Sequence, residues 1–142
     1  MTVRLLDVNV LIALSWPAHE SHSLVQNWFS TTGAKAWATC PFTQAAFVRI
    51  VSNPIFSPDA VTPNEAIEIL AANMGHRGHR FWKDDVDFPS AVGPFRKNLT
   101  GHRQVTDAYL LGLVVKNHGR LATLDRRLGA VVEGKEFVEL IS

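Results

Sequence analysis

Arg4-Leu5-Leu6-Asp7-Val8-Asn9-Val10-Leu11-Ile12-Ala13-Leu14 governs the reading of the whole chain. An aspartate stands inside an otherwise apolar run, two residues before an asparagine. An unpaired charge there costs on the order of several kcal/mol, and a bound cation is one partner that offsets it. Residues 4–7 read as a short buried strand and residues 8–14 as the turn and helix that follow. Asp7 then stands at the carboxyl end of the strand, where open α/β sheets hold their ligands. The simpler alternative is that Asp7 caps the helix. The rest of the chain weighs between the two.

At 142 residues the chain has the length of one domain, spanning 1–142, able to bury a core without disulfides. Hydrophobic residues make up 46% and charged residues 19%, which excludes a disordered chain. Fourteen basic and 13 acidic residues leave a formal charge of +1, so only a local patch can attract a polyanion. Cys40 is the sole cysteine, which rules out an internal disulfide framework and a cysteine-rich zinc site. Met-Thr-Val-Arg leads straight into the first strand without a signal peptide, and no apolar run approaches ~18 residues. The expectation is a cytoplasmic protein with no membrane association.

Beyond the first strand, Leu24, Val25, Trp28 and Phe29 recur at the spacing of one buried helical face, and Gly33 ends that helix. Residues 36–39 read as a second strand. Pro41 opens a third helix that runs to Ser52, where Asn53-Pro54 stops it. Thr62-Pro63-Asn64-Glu65 is a capping box that starts a helix ending near residues 73–75. A third strand is expected at 80–82. Residues 83–104 are polar and carry no clear period; across 76–103 six Lys and Arg stand against three Asp. Residues 105–117 are helical, 121–124 form a strand ending at Asp125, 126–128 begin a short helical turn, and 137–140 form the final strand. Strands alternating with helices predict a three-layer α/β fold, with helices flanking a mainly parallel sheet of about five strands.

In a parallel sheet, strands end and the next helices begin on one rim. Asp7 ends the first strand, Asp125 ends the fourth, and Asp107 lies in the first turn of the helix that feeds the fourth. Gln44 holds the equivalent first-turn position after the second strand. Three carboxylates held together repel one another unless a cation neutralises them, and hard oxygen ligands with open water positions suit Mg²⁺ or Mn²⁺. Such a site activates water and stabilises charge on a phosphodiester. Thr106 and Thr123 adjoin two of the acids as candidate orienting donors. Taken one at a time, Asp107 is also a helix-start charge favoured by the dipole, and Asp125 a turn residue.

The opening stretch resembles that of PIN-domain proteins, in particular the VapC-type toxins of bacterial toxin–antitoxin pairs. Trp37-Ala38-Thr39-Cys40-Pro41, Phe47-Val48-Arg49-Ile50, Ser52-Asn53-Pro54, Phe81-Trp82-Lys83-Asp84-Asp85, Val105-Thr106-Asp107-Ala108-Tyr109-Leu110 and Leu121-Ala122-Thr123-Leu124-Asp125-Arg126-Arg127-Leu128 are similar to the same toxins. The likeness runs in consistent order from Arg4 to the end. It implies a PIN fold and a Mg²⁺- or Mn²⁺-dependent endoribonuclease leaving a 5′-phosphate and a 3′-hydroxyl. It also implies a VapB-like antitoxin as inhibitor and co-repressor. By position Asp7, Asp107 and Asp125 are the metal-binding acids, with Asn9 and Thr123 as their polar neighbours. The family usually places a glutamate where this chain has Gln44. An amide can hydrogen-bond a water but cannot act as a carboxylate base. Glu20, from the nearby loop, is a candidate source of the missing charge.

RNA contact needs cations and stacking surfaces. Arg49, Arg96, Lys97, Arg103, Arg126 and Arg127 are candidates for phosphate; Trp82, Phe81 and Trp16 are candidates for stacking, with core packing the favoured alternative. His19-x-x-His22 and His76-x-x-His79 lack the flanking ligands of a zinc site. Asp7-x-Asn9 departs from an aspartyl-phosphate phosphatase in lacking a second Asp at Asn9. The remaining rival is a domain that binds RNA or a partner without cutting. Residues 22–32 and 63–74 are candidate surfaces for a homodimer or for the antitoxin, with core packing an equal alternative.

Overall fold

The computed structural model describes residues 1–131 and 136–142. Strands β1 (Arg4–Leu6), β2 (Trp37–Thr39), β3 (His79–Phe81), β4 (Arg120–Thr123) and β5 (Val138–Leu140) form one sheet in the order β3-β2-β1-β4-β5. All four pairings among them are parallel. Helices α1 (Val8–Ser15), α2 (His22–Thr31), α3 (Pro41–Val51), α4 (Pro63–Met74), α5 (Phe88–Val92), α6 (Val105–Lys116) and α7 (Arg126–Val131) connect the strands. The expected three-layer α/β architecture is the one observed.

Successive residues of a strand face opposite ways, and β1 shows the consequence. Leu5 joins Trp82, Leu110, Leu113, Val114 and Leu121 on the α6 side of the sheet. Leu6 joins Val10, Leu11, Trp37, Phe47 and Ala122 on the α1 and α3 side. A strand covered on both faces reads as an unbroken apolar run, which is what residues 4–6 supply. The chain lays β2 and β3 to one side of β1, then returns to place β4 and β5 on the other. The β1–β4 junction is therefore the switch point of the sheet, where a crevice opens at the strands' carboxyl ends.

All five strands differ from the sequence expectation by one residue at one or both ends. β3 ends at Phe81, and Trp82 turns inward to 7% exposure after donating its backbone N–H to Thr39 O. β4 starts at Arg120 and ends at Thr123, because the Leu124 N–H goes to the Asn9 side chain. The final strand begins at Val138. The stretch 83–104 is ordered into α5 and two 3-10 turns, Gly93–Asn98 and His102–Gln104. Asp87 caps α5 by accepting from the Ser90 N–H at 2.9 Å.

At the rim opposite the crevice, Glu139 of β5 gathers three donors. Its Oε1 accepts from Arg4 Nε at 2.8 Å and an Arg120 guanidinium nitrogen at 3.0 Å, and its Oε2 accepts from the Trp28 indole N–H at 2.6 Å. Helix α6 lies against α5 with no room for a side chain at Gly112. A Cβ there would stand 2.2 Å from the carbonyl oxygen of Ala91 and 2.6 Å from its carbonyl carbon. Alanine ordinarily gains about 1 kcal/mol over glycine inside a helix. Here the obstacle is backbone, which cannot rotate away. Gly112→Ala is expected to destabilise the protein by about 1–3 kcal/mol, seen as a lowered melting temperature in circular dichroism. An unchanged value would mean that α5 shifts aside freely.

Candidate functional site

Asp7 follows β1 directly and does two things at once. Its Oδ1 accepts from the Val8 N–H at 2.8 Å and caps α1. Its Oδ2 accepts from the Thr123 hydroxyl at 2.8 Å, across the β1–β4 junction. The helix-cap alternative and the rim position are thus both realised. Asp7 is only 7% exposed, and burial pushes its carboxyl above the ordinary carboxylate range, with the Asp125 charge adding to it.

Thr123 ties this corner together. Besides donating to Asp7, its hydroxyl accepts from the Asp125 N–H at 3.0 Å and from the Asn9 amide at 3.4 Å. Asn9 in turn accepts from the Leu124 N–H at 3.2 Å through its side-chain oxygen. Asn9 and Thr123 therefore hold the ends of β1 and β4 in fixed relation. Asp125 caps α7 by accepting from the Arg127 N–H at 2.9 Å, and the Arg127 Nε lies 3.3 Å from the same oxygen.

Asp107, in the first turn of α6, completes the rim. Among the described residues no hydrogen bond holds its half-buried carboxyl. Burial, then the charges of Asp7 and Asp125, raise its pKa from 3.8 to about 6. The three acids thus share one electrostatic field. They do not close around a point: among the described residues no three acidic, imidazole or thiol side chains form a ready set of ligands. The arrangement is an open crevice with negative charge on two walls.

Gln44 takes a different orientation from the acids. Its amide nitrogen donates to the Thr39 hydroxyl at 3.0 Å and lies 3.6 Å from the Met74 sulfur. The Thr39 hydroxyl also sits 2.7 Å from His79 Nε2. Burial, then the neighbouring Arg80 and His76, hold the His79 imidazole below its ordinary pKa. Glu20 is exposed on the turn before α2, and the charges that act on Asp107 are those of Asp7, Asp125 and Arg127.

Several other expectations sort out by burial. Trp82 is core, packed on the α6 side, and cannot stack on a base. Trp16 packs edge-on against Phe56, while Phe81 is half exposed. Of the six candidate cations only Arg103 and Arg127 line the space beside the acids; Arg49, Arg96, Lys97 and Arg126 lie on the exposed surface. Thr106 does not support Asp107 but lines the surface of Phe42, Phe88 and Tyr109. The histidine pairs are engaged locally. His22 Nδ1 meets Ala13 O at 2.7 Å, and His76 Nδ1 accepts from the Gly78 N–H at 3.0 Å. The loop at 98–104, which walls the space beside Asp107, had no periodic signal in the sequence. The helix that leads into it is missed by the sequence reading, its one local signal being the capping pattern of Asp87-Phe88-Pro89.

A parallel sheet ordered 3-2-1-4-5, with acids from the ends of β1 and β4 and the start of α6 lining its switch point, defines a PIN-type domain. The fold superposes over 99% of the chain on a chain of the VapBC2 complex from Rickettsia felis bound to promoter DNA, with a TM-score of 0.66 at 11% identity, covering all of that chain. FitAcB from Neisseria gonorrhoeae superposes over 99% of this chain and 97% of its own, with a TM-score of 0.60 at 14% identity. In sequence, the chain is 45% identical over 124 residues to ribonuclease VapC39 of Mycobacterium tuberculosis, covering 87% of this chain and 89% of that one. It is 43% identical over 121 residues to ribonuclease VapC38 of the same organism, covering 85% and 84%. No protein-family model matches. The chain belongs to the VapC family of PIN-domain toxins.

Proposed function

We propose that this protein is a divalent-cation-dependent endoribonuclease toxin that cuts structured RNA, such as tRNA or ribosomal RNA, and so blocks translation. The observation that carries the reading is the convergence of Asp7, Asp107 and Asp125 on the β1–β4 crevice, in a chain whose relatives are named ribonucleases. The donor set suits Mg²⁺ or Mn²⁺. Among the described residues Asp107 is a half-buried carboxylate without a hydrogen bond, in the field of two others. Mg²⁺ commonly takes one or two carboxylates and keeps its remaining waters, which matches an open crevice better than a closed cage.

Asp7, Asp107 and Asp125 would hold the ion. Bound there, the ion supplies an activated water and neutralises charge on the phosphodiester. The chain's own residues set the geometry. Thr123 and Val8 fix both oxygens of Asp7, Asn9 locks the β4 end against α1, and Arg127 holds Asp125 while placing a cation at the crevice edge. Gln44, turned to Thr39, contributes no fourth charge; it stays close to the second strand's end as a neutral hydrogen-bonding group.

A VapB-type antitoxin is the proposed inhibitor and partner. Two solved structures that share the fold are VapBC2 bound to a DNA fragment from its promoter and FitAcB. Leu24 on α2 and Ile67 on α4 are exposed apolar side chains, 39% and 50%, on the two helices suited to a partner or a second copy. Among the described residues no helix is long and apolar enough to cross a membrane.

Purified protein is expected to cut tRNA or ribosomal fragments at few sites with Mg²⁺ or Mn²⁺, and not in EDTA. Asp7→Asn is expected to lose cleavage while staying folded. A folded protein that binds the RNA but cuts it with neither ion would overturn the nuclease reading in favour of binding alone.

A further inference from the structure

The first turn of α6 separates two hollows. On one side of Asp107, a cavity of about 310 Å³ is floored by Phe95, Leu99, Leu111 and Leu128, with Asp107 and Asp125 in its wall and Arg103 and Arg127 among its lining residues. Its outer wall is preformed. Gln104 Oε1 accepts from the Thr100 N–H at 2.6 Å, the Thr100 hydroxyl at 2.9 Å and the Gly101 N–H at 3.3 Å, which holds the loop in a closed turn. On the other side, next to Thr106, lies an aromatic surface. Phe88 and Tyr109 are parallel within 3°, their centroids 6.0 Å apart, and Phe42 stands 6.4 Å from Tyr109. Phe42 and Phe88 are 45% and 42% exposed. Both rings pack against Tyr109 yet stay nearly half open to water beside the acidic crevice.

We infer that these hollows take the two nucleobases flanking the phosphodiester held at Asp7, Asp107 and Asp125: one base enters the apolar cavity, the other stacks on Phe88. The inference rests on the nuclease reading above and names its substrate, an unpaired RNA segment with both bases turned out of the stack. The physical argument is complementarity along the strand. A nucleotide joins a flat apolar base to an anionic phosphate. The cavity joins an apolar floor to cations at the lining and to the carboxylates proposed to hold the ion, so base and phosphate each meet their match in one lining. An apolar peptide segment would fill the floor but leave Arg103 and Arg127 without an anionic partner from the ligand. RNA loops present bases in this exposed form, and aromatic side chains stack on them without strong sequence preference. Selectivity would come from the walled cavity and tolerance from the more open pad.

Variants of each hollow test this. Leu99→Trp fills the cavity from the loop, with Thr100→Phe as a second filling variant should the first not fold; Phe88→Ala removes the pad. None of these residues belongs to the acid site. The readouts are metal-dependent hydrolysis of bis(p-nitrophenyl) phosphate, which has no nucleobase, and cleavage of a single-stranded oligoribonucleotide containing the mapped cut site. Binding of the same oligonucleotide, carrying 2-aminopurine on either side of that site, is followed by fluorescence in EDTA. Base-aromatic stacking is worth about 1–3 kcal/mol per base, so oligonucleotide kcat/KM and affinity are expected to fall roughly 5- to 100-fold in each variant. Hydrolysis of the small ester should stay within about twofold. The filled cavity should silence the fluorescence change on one side of the cut and Phe88→Ala that on the other. Variants that fold and cut the oligonucleotide like the parent overturn the inference while leaving the nuclease reading intact. Loss of antitoxin inhibition with RNA cutting unchanged would assign the cavity to the protein partner and equally overturn it. A parent protein that hydrolyses neither substrate overturns the nuclease reading itself.

Discussion

Asp107→Asn is expected to abolish RNA cleavage and, at neutral pH, to raise the melting temperature of the metal-free protein. The two effects share one cause. The Asp107 carboxyl is half buried, lacks a hydrogen bond among the described residues and faces the charges of Asp7 and Asp125, so its pKa rises from 3.8 to about 6. Below about pH 4 it is protonated in both folded and unfolded chains and costs nothing. As pH rises through 6 the folded chain must ionise a group that the unfolded chain ionises more easily, so stability is lost across that window. The full shift corresponds to about 3 kcal/mol; water around the half-exposed group screens this to about 1 kcal/mol, or roughly 4 °C in a domain of this size. Melting curves of the parent and Asp107→Asn in EDTA should therefore coincide near pH 4 and separate by pH 7, with the variant higher. Activity should fall at least ~1000-fold, the several kcal/mol that a bound ion supplies to phosphodiester chemistry. A variant that cuts RNA as the parent does would remove Asp107 from the site. One that melts lower at pH 7 would mean that Asp107 has a stabilising partner after all.

The second large effect is that of the ion. With Mg²⁺ or Mn²⁺ present at about 100 times its dissociation constant, binding to the native state alone stabilises it by about 2.7 kcal/mol, roughly 10 °C in melting temperature. The gain is expected at pH 7.5, to be reversed by EDTA, and to be largely absent at pH 4.5, where protons compete for the raised carboxyls of Asp7 and Asp107. Asp107→Asn should lose most of it. Persistent cleavage in EDTA, with no thermal shift from either ion, would show that the acids work without a metal.

The parts of this arrangement that were legible in the sequence obey short-range rules. Residues 4–6 are apolar because both sheet faces are covered, and Thr62 and Glu65 form the expected reciprocal cap at α4. The shared rim of Asp7, Asp107 and Asp125 followed from parallel topology alone. What stayed hidden depends on contacts between distant segments. Trp82 looked like a strand residue because nothing in its neighbourhood says that the ladder ends at Phe81. Gln44 sits where the rim rule put it, but its amide turns to Thr39 and Met74, and Met74 comes from the far end of another helix. The segment 83–104 has no period because it is built from one five-residue helix and two 3-10 turns. A helix of that length shows hardly more than one turn of pattern, and its wall of the cavity exists only once α6 and α7 close the other sides.

The hydroxyl of Thr123 reaches Asp7 across 116 residues of chain, and Asn9 reaches Leu124 across 115. β4 enters the middle of the sheet late, beside a β1 that is synthesised first. A growing chain on the ribosome therefore carries Asp7 without Asp125 or its Thr123 tether, and α6 has no β4 to lean on. The order of the strands makes this corner a late product of folding: the hydroxyl that holds Asp7 arrives 116 residues after it.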